Sequence, residues 1–176
     1  MSLTRVYIGR FQPPHIGHIE AIKWNTEKGD LIIAIGSSNQ PINKDNPFTI
    51  KERTEMMEVI LQEFQIDAKI VHLPDFIGDD MAWMEELLRS LSLTAKGIVV
   101  SSQNNWTLEV CKLCGIATDP QPTFAGGISA TQIRDAIRRD KCWKNCLSSR
   151  IGKYLSEKKL GDGLTGVERI KQVARL

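Results

Sequence analysis

Two histidines of this sequence are spaced so that both could bind one phosphate chain. His15 and His18 lie in residues 9–18, with the sequence GRFQPPHIGH, directly after a strand-like segment and at the start of a helix-like one. Open α/β sheets bind phosphates at such strand-to-helix turns, and imidazoles three residues apart project from about one helix face. Gly9 and Gly17 lack a Cβ atom, which allows a nucleotide to approach the backbone. The segment therefore predicts a site that grips one polyphosphate.

A second polar segment, residues 128–134 with the sequence ISATQIR, also suits an anion. Ser129 or Thr131 lies at the predicted start of a helix, and Arg134 follows about one turn inside it. Free backbone N–H groups, hydroxyls and a guanidinium would converge on an anion at that helix end. A Ser or Thr cap followed by Arg is common on ordinary helices, so this segment gains weight from its pairing with the histidine segment.

The histidine segment differs from the common phosphate-binding motifs. It contains neither the G-K-[ST] ending of a P-loop nor the dinucleotide fingerprint G-x-G-x-x-G. A single His near a helix start is usually a cap or a surface group. Two histidines in an H-x-G-H arrangement after Gly-Arg-Phe make that explanation weak.

The four cysteines form two close pairs, Cys111 with Cys114 and Cys142 with Cys146. Such spacings resemble half-sites for zinc. Both pairs fall in helix-like stretches, where spacings of three and four place small apolar thiols on one buried stripe. Reduced structural cysteines are therefore the favoured interpretation, and no residue is assigned as a metal ligand.

Strand-like and helix-like segments alternate along most of the chain. Short apolar or β-branched runs, each followed by helical spacing of apolar residues, cover residues 5–9, 31–36, 69–73 and 97–101. This alternation predicts an α/β fold with a parallel sheet and helices on both faces. Residues 31–35 lack polar alternation, which predicts a central strand.

Helix signals continue to the end of the chain. Thr49 followed by Glu52 matches a capping box and opens the clearest helix. Further helices are predicted at residues 81–91, 107–114, 130–139, 147–160 and 167–174. We therefore expect one domain of residues 1–176, in which an α/β core of residues 1–141 carries a small helical C-terminal appendage of residues 142–176.

Charge and hydropathy exclude several classes of partner. The 176 residues include 23 Lys and Arg against 21 Asp and Glu, a formal net charge of +2. No strong field therefore attracts nucleic acid or an anionic membrane. The longest apolar run, residues 31–35, is far below the roughly 20 residues of a membrane span, and the start of the chain is strand-like rather than signal-like. We expect a cytoplasmic protein without nucleic-acid or membrane partners.

Both polar segments resemble signatures of one superfamily. Residues 15–18 (HIGH) are similar to the HxGH motif of the nucleotidyltransferases, and residues 128–134 are similar to their ISxTxxR motif. Residues 36–38, 46–53 and 166–171 narrow the resemblance to archaeal-type nicotinamide mononucleotide (NMN) adenylyltransferases. The match covers nearly the whole chain. It implies a Rossmann-like nucleotidyltransferase fold and the synthesis of NAD and pyrophosphate from ATP and NMN.

The resemblance also implies which residues form the site. Four residues are implied to act in catalysis: Arg10, His15, His18 and Arg134. With these four, further residues are implied to contact ATP: Gly9, Phe11, Gln12, Gly17, Ile128, Ser129 and Thr131. A third set is implied to bind NMN: Gly36, Ser37, Ser38, Phe48, Arg53, Asp75 and Trp83. Trp83 would stack on the cationic pyridine ring, and Asp75 would lie near the nicotinamide end. Mg²⁺ would be bound mainly through the substrate phosphates.

Two segments depart from the family's pattern. Residues 39–42 (NQPI) stand where relatives typically carry Ala-Gln and a downstream Ser-His, and residues 125–127 (AGG) stand where relatives often have a basic residue. The resemblance further implies a homo-oligomer, because relatives assemble into multimers.

Two other functions fit the same phosphate machinery. One is a sister adenylyl- or cytidylyltransferase with another acceptor, such as pantetheine phosphate or FMN, and the other is a non-catalytic module that senses ATP or NAD. In-line transfer to NMN without a covalent intermediate is the preferred hypothesis, because the ionised 5′-phosphate of NMN needs no general base.

Overall fold

The computed structural model describes residues 3–175, which form two compact units. The first unit comprises the chain up to Arg10, Ala21–Gln40 and Ile66–Pro122. The second comprises Phe11–Glu20, Pro41–Gln65 and the chain from Thr123 onward. The expected single domain with a core of residues 1–141 stays a prediction.

The first unit contains a parallel sheet of five strands. They are β1 (Thr4–Gly9), β2 (Leu31–Ile35), β3 (Ala68–His72), β4 (Ile98–Ser101) and β5 (Ala117–Thr118). Their order in the sheet is β3-β2-β1-β4-β5, and every pairing is parallel. The predicted α/β class is confirmed.

The strand residues explain the place of each strand. All five residues of β2 are buried, as its unbroken apolar run predicts, although β1 rather than β2 is the middle strand. The two-residue β5 lies outside the four predicted runs, because so short a strand leaves no periodic pattern in the sequence.

Two helices of the first unit, α3 (Asp80–Leu91) and α4 (Asn105–Leu113), supply its core with apolar side chains. The cluster contains strand residues such as Val6 and Ile8 together with Trp83, Met84 and Leu87 of α3. Helix α1 (Ile16–Thr26) belongs to both units, since the division falls between Glu20 and Ala21.

The second unit is helical. It contains the first turn of α1 together with α2 (Ile50–Phe64), α5 (Ala130–Arg138), α6 (Ser149–Glu157) and α7 (Gly166–Val173). Helix α6 contacts α2 and α7, and α5 also contacts α7. Capping boxes open three of these helices, formed by Thr49 with Glu52, Ser129 with Gln132, and Thr165 with Glu168.

The cysteine prediction is half right. Cys111 is fully buried in the core of the first unit, and burial raises the pKa of its thiol to about 12. Cys142 is exposed and precedes a short 3₁₀ turn, Lys144–Cys146, so the predicted helical stripe is wrong for the second pair. Helix α6 is also shorter than the predicted helix of residues 147–160, because the backbone is already extended at Lys158. No helix within residues 3–175 has the length and apolarity that crossing a bilayer requires.

Candidate phosphate and acceptor sites

The histidine segment joins β1 to α1, and from Phe11 onward it belongs to the second unit. Gly9 ends β1 and Arg10 is exposed, both in the first unit. Phe11 adopts a left-handed backbone, with φ of 54°, and its buried ring meets the His18 ring edge-on with centroids 4.8 Å apart. The turn thus packs one side of the imidazole before the helix begins.

The two imidazoles are stacked on each other, and the backbone orients one of them. Their ring centroids are 3.7 Å apart with planes inclined by 30°, and the backbone N–H of His15 donates to Nδ1 of His18 at 3.1 Å. An accepting Nδ1 carries no proton, so neutral His18 keeps its proton on Nε2, from which it can donate to a phosphate oxygen. Burial lowers the pKa of His15 to about 4, and burial together with His15 lowers the pKa of His18 well below its usual range. Both rings are therefore neutral at pH 7.

Gly17 allows the His15 ring to take this position. A Cβ atom at residue 17 would lie 3.2 Å from both Cε1 and Nδ1 of His15 and 3.7 Å from the carbonyl oxygen of Ile128. The His15 ring is 4% exposed, and within residues 3–175 its Nδ1 makes no hydrogen bond. A buried polar atom in this state is a candidate contact for a substrate.

Arg134 connects the second motif to the first. Its side chain is 2% exposed, and one guanidinium nitrogen donates to the carbonyl oxygen of Gln12 at 2.9 Å. Another nitrogen donates to Oγ1 of Thr131 at 3.2 Å and lies 3.4 Å from Oδ1 of Asp45. The structure therefore brings Arg134 and the histidine segment together within the second unit, where the buried guanidinium bonds to the backbone of Gln12.

The start of α5 resolves the choice between Ser129 and Thr131. Ser129 is the N-cap, and its hydroxyl accepts from the backbone N–H of Gln132 at 3.3 Å. Thr131 lies within the helix. Before it, residues 125–127 form a 3₁₀ turn in which the backbone N–H of Ala125 donates to the Glu20 carboxylate at 2.8 Å.

Gln12 has a structural partner that its sequence position did not reveal. Its amide NH₂ donates to the carbonyl oxygen of Phe48 at 3.0 Å, and its amide oxygen accepts from the Phe48 N–H at 3.0 Å. Both side-chain functions are thus used to hold the chain just before α2. A contact of Gln12 with ATP stays a prediction.

Part of the predicted acceptor set lies in the first unit, after β2 and β3. The Ser37 hydroxyl donates to Asp75 at 3.2 Å, and the Gln40 amide donates to the other carboxylate oxygen at 3.1 Å. The Asn39 side chain exchanges two hydrogen bonds of 3.0 Å with the Asp75 backbone. Residues of the unusual 39–42 segment therefore hold Asp75, next to the buried Gly36 and the half-buried Ser38.

Trp83 lies in the core of the first unit. It is 3% exposed, belongs to the main apolar cluster, and meets the half-exposed Trp106 edge-on with centroids 5.0 Å apart. Core packing accounts for this tryptophan, and stacking on a pyridine ring stays a prediction.

Phe48 and Arg53, the other predicted acceptor residues, stand at the start of α2 in the second unit. Phe48 is 2% exposed and Arg53 is 1% exposed. The set predicted to bind NMN is therefore divided between the two units, and its assembly around one ligand stays a prediction.

Both polar motifs lie within a match to one protein family. A model described as cytidylyltransferase-like matches residues 6–136, which include both polar motifs. The chain belongs to the cytidylyltransferase-like family.

Curated relatives show which enzymes of the cytidylyltransferase-like family this chain resembles. A nicotinamide-nucleotide adenylyltransferase of Saccharolobus solfataricus is 31% identical over 96% of this chain and 95% of its own length. Another, from Thermococcus kodakarensis, is 32% identical over 96% of this chain and 87% of its own length. The predicted relationship to the archaeal-type enzymes is confirmed.

Solved structures agree on the fold of this family member. A bifunctional NMN adenylyltransferase/ADP ribose pyrophosphatase from Francisella tularensis, complexed with AMP and a Mn ion, superposes with a TM-score of 0.74 at 27% identity. The match covers 87% of this chain and 46% of that one, so this chain corresponds to about half of the bifunctional protein. A Plasmodium falciparum nicotinic acid mononucleotide adenylyltransferase matches with a TM-score of 0.58 at 11% identity, which supports the fold alone.

Sequence reasoning missed the residues that brace this site. Asp45 lay outside every predicted motif, whereas Glu52 and Arg169 lay in segments 46–53 and 166–171 of the resemblance without being assigned to the site. Arg169 is 2% exposed and bonds to Glu52 at 2.6 Å, a pairing that joins positions 117 residues apart. A Glu at the third helical position gave half of the signal, but nothing in the sequence identified its distant partner.

Proposed function

We propose that this chain transfers the adenylyl group of ATP to NMN, forming NAD and releasing pyrophosphate. Full-length similarity to curated nicotinamide-nucleotide adenylyltransferases supports this reaction. The structural observation that carries it is the hydrogen bond from Arg134 to the Gln12 carbonyl, which joins the two motifs. We expect the buried cation and the two imidazoles of the joined motifs to act on one triphosphate, since transfer between phosphates requires positioned positive charge and hydrogen-bond donors.

In the proposed reaction an oxygen of the NMN 5′-phosphate attacks the α-phosphorus of ATP. A new P–O bond forms while the bond to the bridging oxygen breaks, and pyrophosphate leaves with the electron pair. The attacking phosphate is ionised, so no proton has to be removed and no covalent intermediate is needed. Catalysis then consists of positioning and of stabilising charge on the reacting phosphoryl group.

Each charged or polar group has a distinct proposed role. The Nε2–H of His18 donates to a phosphate oxygen through the reaction, and His15 orients the triphosphate. Arg134 is proposed to supply positive charge to the phosphates, and the exposed Arg10 keeps the catalytic role that the sequence predicts for it. In the substrate-free chain the imidazoles are neutral at pH 7, and in that form each offers one N–H donor.

Magnesium is the proposed cofactor, and the residues present fit an ion that enters with ATP. Among residues 3–175 no three His, Cys, Asp or Glu side chains are grouped as a metal site, so the chain offers at most a few ligands. The substrate phosphates and water would therefore supply most of the ligands. When bound, the ion supplies neutralisation of phosphate charge.

A purified chain given ATP, NMN and Mg²⁺ tests the reaction directly. We expect NAD and pyrophosphate in equal amounts, with neither formed when NMN is omitted and a large loss of rate without Mg²⁺. NAD is measured by a coupled dehydrogenase, and pyrophosphate by an independent assay.

The same assay separates the alternatives. Pyrophosphate release with pantetheine phosphate or FMN, but not with NMN, would replace the proposed acceptor. Tight ATP binding without pyrophosphate release under any acceptor would indicate a sensor.

A homo-oligomer in the cytoplasm completes the proposal. Ile77 is 95% exposed and Leu113 is 87% exposed in the first unit, so these apolar side chains are available for a contact between copies of the chain. Light scattering of the purified chain measures the assembly.

A further inference from the structure

We infer that Arg169, in the C-terminal helix α7, is a positioning residue for the transfer reaction. It fixes the start of α2, and through α2 it fixes the histidine segment. This role rests on the proposed function, in which the histidine segment binds ATP and the start of α2 contributes to the acceptor site. It would also explain why residues 166–171 resemble the family's C-terminus when a plain amphipathic helix would need no such likeness.

The guanidinium of Arg169 is buried, and each of its three nitrogens lies next to an acceptor. One nitrogen donates to Oε2 of Glu52 at 2.6 Å and lies 3.5 Å from the carbonyl oxygen of Pro47. Its Nε donates to Oδ2 of Asp162 at 2.8 Å, and its remaining terminal nitrogen reaches Oδ1 at 2.6 Å. A two-pronged bond to Asp162 orients the planar group, so its third bond is aimed at the start of α2.

Glu52 passes this constraint to the backbone before α2. The oxygen that accepts from Arg169 also accepts the backbone N–H of Thr49 at 2.9 Å, while the Thr49 hydroxyl accepts from the Glu52 N–H at 3.3 Å. Arg169 therefore holds the carboxylate of a capping box, which sets where the helix begins.

Phe48 and Gln12 carry the constraint to the phosphate site. Phe48 directly precedes Thr49, and its N–H and carbonyl both bond to the Gln12 side chain. The Gln12 carbonyl accepts from Arg134. An unbroken series of hydrogen bonds and peptide links thus runs from Arg169 to Arg134, and every member lies in the second unit.

Close packing at the start of α7 supports the same connection independently. A Cβ atom at Gly166 would lie 2.7 Å from Cδ2 and 3.2 Å from Cα of Leu155, and 3.2 Å from Cε1 of Phe48. The backbone of α7 therefore approaches the Phe48 ring as closely as a glycine permits. The Arg169–Glu52 ion pair and this packing contact therefore both constrain the chain at Phe48, whose backbone bonds to the Gln12 side chain.

A neighbouring ion-pair group provides the matched control. Glu55, one turn further along α2, accepts from the Tyr154 hydroxyl at 2.8 Å and from Lys158 at 2.6 Å, which ties α2 to α6. None of its hydrogen bonds within the described chain reaches the histidine segment or residues 128–134. The Glu55 group therefore reports the effect of loosening α2 without disturbing the path to Arg134.

The test variant combines Arg169→Met with Glu52→Gln. Removing both charges leaves no buried ion without a partner, and Gln preserves the capping box, so the chain keeps its fold. We expect kcat/KM for NAD synthesis to fall roughly 10- to 100-fold, because small displacements of positioning groups cost this much. Glu55→Gln should keep kcat and KM within about threefold of the wild-type values, although it loosens α2.

Two further measurements separate positioning from stability. Arg169→Lys alone keeps a positive charge beside the Glu52 carboxylate, so it should retain part of the rate that the double variant loses. The exchange rate of the Phe48 backbone N–H, followed by NMR without substrates, should rise in the double variant and stay unchanged in Glu55→Gln. Wild-type kcat and KM in the double variant would overturn the inference. If the wild-type chain makes no NAD, the proposed function fails, and unchanged Phe48 exchange would still refute the path independently.

Discussion

The phosphate site of the second unit and the loop that holds Asp75 in the first unit are built in different ways. In the second unit, His15, Arg134 and Gln12 are each at most 4% exposed, and a buried hydrogen bond links Arg134 to the Gln12 carbonyl. In the first unit, the Asp75 backbone is held by the exposed Asn39, and its carboxylate by Ser37 and Gln40. The groups proposed to act on phosphate are therefore buried and hydrogen-bonded before any substrate binds, whereas the loop at Asp75 lies nearer the surface, where substitution is cheap.

Replacing His18 should have the largest effect, because it removes a pre-oriented donor. We expect His18→Ala to lower kcat roughly 10²- to 10³-fold, the usual cost of losing one donor to a reacting oxyanion. His18→Asn keeps an N–H donor on a shorter side chain and should recover part of the rate. Steady-state NAD formation with saturating ATP and NMN measures both.

The third histidine of the chain provides the control for this substitution. His72 is exposed at the end of β3, and His72→Ala should leave the rate nearly unchanged. A folded His18→Ala protein with near-full turnover would remove His18 from the mechanism and would erase the contrast between the two regions.

The buried histidines also predict how stability depends on pH. The pKa of His15 falls from 6.5 to about 4 on burial, so below pH 6.5 the unfolded chain takes up a proton that the folded chain refuses. Stability therefore falls as the pH drops from about 6.5 towards 4, by up to about 1.4 kcal/mol per pH unit for each such histidine. Urea unfolding without ligands between pH 7 and pH 5 measures this slope.

The pH slope belongs to the phosphate site and not to histidine in general. His15→Gln should reduce the slope over this range and leave the part that His18 contributes, whereas His72→Gln should leave the slope unchanged. Equal slopes in the wild type and in His15→Gln would show that His15 does not oppose folding when protonated.

Local signals made much of the fold and of the phosphate site predictable. Four apolar runs gave the four longer strands, and the Thr49 and Glu52 pair gave the start of α2 to the residue, because period and cap chemistry act within a few positions. The histidine and ISATQIR segments were identified for the same reason. Their joining through Arg134 was expected from the resemblance and not from spacing.

Long-range partners could not be predicted. Gln12 bonds to Phe48 across 36 positions, and Arg169 bonds to Glu52 across 117. No periodicity links such residues, because only the tertiary fold brings them together. Cys142 was placed on a buried stripe by its spacing alone, yet the chain is not helical there.

The smallest expected effect concerns acceptor choice at Asp75. Its carboxylate accepts from Ser37 and Gln40, and the resemblance places it near the nicotinamide end of the acceptor. A negative charge there favours a neutral carboxamide over the carboxylate of nicotinic acid mononucleotide. For half-exposed charges this preference is worth about 1 kcal/mol, or roughly fivefold. We expect Asp75→Asn to raise the use of nicotinic acid mononucleotide relative to NMN by about that factor, with kcat for NMN nearly unchanged.

Asp79 offers a matched comparison for this charge. It caps α3 by accepting the Ala82 N–H at 2.9 Å, and Asn is an equally good cap, so Asp79→Asn removes a nearby charge without disturbing the helix. The ratio of kcat/KM values for the two mononucleotides should change in Asp75→Asn and stay constant in Asp79→Asn. An identical ratio in both variants would show that the loop at Asp75 does not discriminate between the two mononucleotides. Acceptor choice would then have to lie with the buried residues Phe48 and Arg53. The contrast between the two regions would disappear.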